Sequence, residues 1–138
     1  MSRIINPDSA GRERDRLTKA IVLAVRELAR QTEAGDESRD LAAFIALALA
    51  IVSETIDISV AAWEKRDYWV KADRFRMDWA WAEQMAEKMR NAVQTENWST
   101  VANVAALTAQ KLNRITVPVG NRLGKPWVGA WDELRKQK

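Results

Sequence analysis

The 138-residue chain reads as all-α, an antiparallel four-helix bundle, on three observations. No glycine or proline stands between Gly35 and Pro118, so no residue in that span breaks a helix by its backbone alone. Apolar residues recur there at alternating spacings of three and four, the period of a buried helix stripe. Hydrophobic residues make up 47% and charged residues 30%, which fits one folded domain with a core of its own, over residues 1–138, rather than a disordered chain.

Residues 1–11 read as an extended arm, because Asn6-Pro7-Asp8-Ser9 and Gly11 supply turn chemistry. Helix one is expected over 12–34, buried through Leu17, Ile21, Ala24, Val25 and Leu28 and closed by Gly35 as a C-cap residue. Helix two is expected over 38–64, with Asp36 or Ser38 as N-cap. Its uninterrupted apolar run, Leu41 to Val52, suits the central helix of a bundle. Glu54, Asp57 and the many alanines weigh against a membrane span. The polar break Glu64-Lys65-Arg66-Asp67 is either a tight hairpin or a solvated turn of one continuous helix. Helices of matched length favour the hairpin.

Helix three is expected over 67–94. Tyr68, Ala72, Phe75, Trp79, Ala82, Ala86, Met89 and Val93 form its inward stripe. Helix four is expected over 98–115, capped by Asn97 or Ser99, with Trp98, Val101, Ala105, Thr108, Leu112 and Ile115 facing in. From Val117 the character changes. VPVGNRLGKPWVGAW holds two of the three prolines and three of the five glycines, so residues 117–138 read as an irregular surface tail. Trp127 and Trp131 would pin it, and a short helix, Asp132 to Lys136, would end it.

The stretch from Trp63 to Trp81 concentrates four of the seven tryptophans, the only tyrosine and five basic residues. Beside the inward stripe it carries a second apolar series, Trp63, Val70, Met77 and Trp81. Either the helix is contacted on two sides, or it exposes an aromatic surface ringed by Lys65, Arg66, Lys71, Arg74 and Arg76. In the second case Phe75 and Trp79 lie in the core, while Trp63, Trp69 and Trp81 form the partly exposed set. Lys65 and Arg66 are spaced for cation–π contact with Trp69. Asp67 with Lys71, and Arg74 with Asp78, are spaced as ion pairs.

The run AWEKRDYWVKADRFRMDW resembles a segment of a group of small, uncharacterised bacterial helical proteins, over residues 39–81. The resemblance implies a helical fold. It implies no activity, cofactor or site residue.

Composition closes several routes to catalysis. The chain has no cysteine, hence no thiolate or disulfide, and no histidine, the commonest general base and transition-metal ligand. It has no phosphate-binding glycine loop. The one carboxylate pair with a metal-site look is Glu54 and Asp57. With Asp73 or Asp78 from helix three, or Glu27 from helix one, it could form an all-oxygen Mg²⁺ site. Otherwise one of the two bridges to Arg26 or Arg74 and the other faces water. No cofactor is expected, and no enzyme.

Net charge is +3, with the basic excess at the two ends and at 65–76. The reading is an interaction module that binds a protein partner or itself through Trp63, Lys65, Arg66, Trp69, Lys71, Arg74, Arg76 and Trp81. Nucleic acid, bound through the basic ends and the 63–81 helix, is the second reading. No secretion signal is visible and no membrane span is expected, so the cytoplasm is the expected location.

Overall fold

The computed structural model describes residues 7–137, and the other helices assemble on α2 (Asp36–Lys65). At 30 residues this helix is about 45 Å long. Its Leu41, Ala42, Ala43, Ile45, Leu49 and Val52 are all buried. Against it pack α1 (Pro7–Arg30), α3 (Trp69–Trp79), α4 (Trp81–Gln94) and α6 (Ala130–Lys136). The remaining helix, α5 (Trp98–Lys111), packs on α4 and α1. There is no strand among the described residues. By length and composition alone α2 could cross a membrane, a test that the core helix of a soluble protein also passes.

Two of the expected boundaries move at the N-terminal end. α1 begins at Pro7, not at residue 12, because a proline is tolerated in the first turn, where its missing N–H has no helical partner. Residues 7–11 therefore belong to the helix, and residues 1–6 of the expected arm lie outside the described residues. α1 ends at Arg30, and Gly35 does not cap it. Gly35 is instead the residue before α2, with extended backbone. Asp36 is already helical. The Ser38 hydroxyl turns back to donate to the Glu33 carbonyl at 3.0 Å, so neither residue is the side-chain N-cap of α2.

The hairpin is present. α2 ends in a Schellman motif: the Tyr68 N–H donates to the Trp63 carbonyl at 2.9 Å and the Asp67 N–H to that of Glu64 at 3.1 Å. The left-handed position that glycine usually fills is taken by Asp67 (φ 62°). The same motif closes α4, where Asn97 and Glu96 donate to the Ala92 and Val93 carbonyls and Glu96 is left-handed (φ 53°). Arg39 from the first turn of α2 bridges to Glu96 at 2.6 Å and ties that turn down. Asn97 then caps α5 by accepting from the Thr100 N–H, as expected.

The expected helix 67–94 is divided at Ala80. Neither proline nor glycine marks the break, and Ala80 keeps right-handed dihedrals, so it is a kink rather than a reversal. Residues two apart point away from each other on a regular helix. Here the indoles of Trp79 and Trp81 stack at 5.7 Å.

The core has two parts. The larger joins α1, α2, α4, α5 and α6. The smaller lies under the hairpin, where Ile56, Val60 and Ala72 are covered by Trp63, Phe75 and Trp79. The C-terminal segment departs most from the surface tail expected of it. Trp127 (3% exposed), Ala130 and Leu134 (0%) belong to the main core. α6 starts at Ala130, two residues early. Its first turn is held from another helix: the Asp40 carboxylate of α2 accepts from the Trp131 N–H at 2.9 Å and the Gly129 N–H at 3.2 Å. A carboxylate there satisfies orphan donors and meets the positive end of the helix dipole.

Candidate interaction surface

The α2–α3 turn lifts a cluster of apolar side chains into solvent. Tyr68 is 53% exposed, Trp69 55%, Val70 74% and Met77 77%. The α2-facing side of α3 has only Ala72, Phe75 and Trp79 to bury, so residues on the remaining faces have nothing to cover them. Asp67, Tyr68, Trp69, Val70 and Lys71 together border a shallow depression at the tip.

The expected residues divide into three groups. Trp69 is exposed as expected. Trp63 and Trp81 are partly exposed, also as expected, in a run of rings Trp63–Phe75–Trp79–Trp81 with successive centroids at 4.8, 6.3 and 5.7 Å. Phe75 and Trp79, expected in the core, are only half-buried.

Among the basic residues, Arg76 is engaged. It donates to Glu64 at 2.9 Å and Asp73 at 2.6 Å, and these bonds, Glu64's first, hold its guanidinium above the ordinary value. Lys71 sits over the Trp63 ring at 4.6 Å. That is the cation–π contact formed at this tip, in place of the expected one between Lys65 or Arg66 and Trp69. The expected pairs Asp67–Lys71 and Arg74–Asp78 are not formed among the described residues: Lys71 lies on the Trp63 indole instead. Lys65, Arg66 and Arg74 are exposed and make no ion pair among the described residues.

Sequence reasoning missed Arg14. It reaches from α1 to donate to the Thr55 carbonyl and hydroxyl, both at 3.3 Å, and to the Ser59 hydroxyl at 3.4 Å. Its guanidinium also lies 4.9 Å from the centre of the Phe75 ring. Burial pulls its pKa below the ordinary value, against the opposing pull of Asp15. Arg14 thereby fastens α1 to the base of the hairpin. The hydroxyls at 55 and 59, one turn apart in an apolar helix, were the legible signal.

Glu54 and Asp57 are not placed as a metal site. Both are exposed and neither pairs with Arg26 or Arg74. No group of three or more carboxylates suited to a metal ion forms among the described residues. Asp73 is held by Arg76, and Glu27 by Arg30 at 2.8 Å. What Glu54 and Asp57 do is line one wall of a groove of about 270 Å³ between α2, α4 and α6. Glu83, Glu87 and Arg90 of α4 line the other, with Ala46, Leu47, Ala50, Ala86 and Leu134 between them. Arg90 is hydrogen-bonded to Gln137, and the four carboxylates make no ion pair among the described residues.

Compared with protein-family models, with curated proteins and with solved structures, the chain matches none of them.

Proposed function

We propose that the protein is a non-enzymatic interaction module that binds a protein partner, or itself, through the tip of the α2–α3 hairpin. The observation that carries the reading is Trp69. It is more than half exposed, between exposed Tyr68 and Val70, and three residues after Arg66, whose exposed guanidinium makes no ion pair among the described residues. Tryptophan, tyrosine and arginine are the residues that contribute most at protein interfaces. The scaffold is read as an antiparallel four-helix arrangement of α1, α2, α3–α4 and α5, with α6 filling one side. The short turns between consecutive helices support it. In this reading α2 is a bundle core and the module works in the cytoplasm.

A pulldown from native lysate with wild type and Trp69→Ala, each with and without nuclease, tests the proposal. Partners should survive nuclease and be lost with the indole. Retention of every partner by Trp69→Ala would remove the tip from the function. A nucleic-acid partner would instead disappear with nuclease, and with six to ten phosphate contacts would lose ~10³–10⁵ in affinity between 50 and 200 mM salt. The four carboxylates of the α2–α4 groove, unpaired among the described residues, favour the protein reading, because they would repel phosphates.

A further inference from the structure

α1 packs chiefly on α2 and α5 chiefly on α4, and the seam between α1 and α5 is left as a cleft of about 200 Å³. Half-buried Val22 and Val25 of α1 and Ile115 form its walls. Its floor holds Leu112 and Thr108, both buried. Arg26 and Asn113 stand exposed at its mouth.

Thr108 falls in the buried stripe of α5, where a valine of the same shape would carry no polar atom. A threonine hydroxyl inside a helix ordinarily bonds back to a carbonyl three or four residues earlier. The buried threonines of α1 and α2 do so, Thr18 to Asp15 at 3.1 Å and Thr55 to Val52 at 2.6 Å. The hydroxyl of Thr108 is buried and has no hydrogen-bond partner among the described residues. Such a group is costly to leave unpaired, so its place on a cleft floor calls for a polar atom from outside the chain. A lone water is a poor answer, because it needs about two to four polar partners and the walls beside Thr108 are aliphatic.

Size and charge narrow the occupant. A dry apolar cavity of about 150 Å³ holds a benzene ring, so a cleft of about 200 Å³ admits one ring with a small group at each end. The guanidinium of Arg26 makes no ion pair among the described residues, and no acidic side chain lines the cleft. A carboxylate at the mouth would accept from that guanidinium and from the Asn113 amide.

We propose that the α1–α5 cleft binds a small aromatic carboxylate with a hydroxyl opposite its acid group. The ring lies between Val22, Val25 and Ile115, the carboxylate meets Arg26 and Asn113, and the hydroxyl pairs with that of Thr108. The site is separate from the hairpin tip, since Arg26 lies twelve residues beyond Arg14, about 18 Å along α1.

Isothermal titration calorimetry with para-hydroxybenzoate, benzoate and para-cresol tests the proposal. Para-hydroxybenzoate should bind one per chain, about tenfold tighter than either probe lacking one polar group. Thr108→Val should bind benzoate as wild type does and lose the preference for para-hydroxybenzoate over benzoate, while Thr108→Ser keeps it. Arg26→Gln should bind para-cresol as wild type does and lose the preference for para-hydroxybenzoate over para-cresol. Circular dichroism verifies that each variant is folded. No binding of para-hydroxybenzoate to wild type at millimolar concentration would overturn the proposal. So would equal affinity for the three probes, or survival of either preference in the variant that removes its partner.

Discussion

Two regions hold the chain's most conspicuous aromatic residues, and they meet opposite fates. The C-terminal segment, residues 117–137, is rich in glycine and proline, yet it buries Trp127 and Leu134 in the main core. The hairpin tip has no glycine or proline and carries a regular helical pattern, yet it leaves Tyr68, Trp69, Val70 and Met77 in solvent. Turn residues report the path of the backbone, not its depth. Helical periodicity reports that a face is apolar, not that a partner within the chain covers it. The C-terminal segment is drawn in by a specific device, the Asp40 carboxylate on the first turn of α6. The tip has no counterpart to it.

The sharpest way to break this contrast is at Trp127. Truncation of a buried tryptophan to alanine removes its transfer free energy and leaves a cavity, so Trp127→Ala should cost ~3–5 kcal/mol in urea unfolding. Leu134→Ala should follow at ~2–5 kcal/mol. A segment merely lying over the surface would show changes within about 0.5 kcal/mol, and such a result at both positions would mean that the segment is not part of the core. Asp40→Ala should cost less, ~1–2 kcal/mol, the usual loss when a helix N-terminus is uncapped. Hydrogen exchange should show the loss first in the amides of Gly129 and Trp131, whose donors the carboxylate accepts. Equal protection of those amides in Asp40→Ala and wild type would remove Asp40 from the docking of α6.

At the tip the informative substitution is stabilising. Asp67 occupies the left-handed position of the Schellman motif, where a side chain costs roughly 1 kcal/mol that glycine does not. Asp67→Gly should therefore raise stability by ~0.5–1 kcal/mol, less than the full strain because the unfolded chain gains freedom as well. A destabilised Asp67→Gly protein would show that the aspartate side chain holds the turn.

Much of the bundle was legible because periodicity and apolar runs are local signals. The stripe from Ala72 to Val93 and that from Val101 to Leu112 are buried or half-buried where the spacing puts them, and Asn97 caps α5. The ends of α2 and α4 fall within one residue of the expected 64 and 94, although Asp67 and Glu96 stand where glycine is the usual marker. The kink at Ala80 has no marker residue, and the docking of α6 depends on a carboxylate 91 residues before Trp131. Of the site, exposed Trp69 followed from counting faces, since the core stripe has no use for it. Phe75 and Trp79 were misplaced in the core: they are half-buried in the same run of rings as the partly exposed Trp63 and Trp81, over a small cluster that does not enclose them. The acidic groove is an arrangement of α2 against α4, which no single stretch of sequence contains.

The smallest expected change in stability belongs to the residue on which the function rests. Trp69 packs on neither core cluster and makes no hydrogen bond or ring contact among the described residues. Its removal opens no cavity and strands no polar group, so Trp69→Ala should unfold within about 0.5 kcal/mol of wild type. Trp79→Ala, which takes away the ring between Phe75 and Trp81, should cost measurably more. Equal losses from the two substitutions would place Trp69 in the fold and take away the reason for reading the tip as a surface made for a partner. A folded Trp69→Ala protein of wild-type stability that no longer associates separates the two roles, because the indole would then contribute to binding and to nothing else.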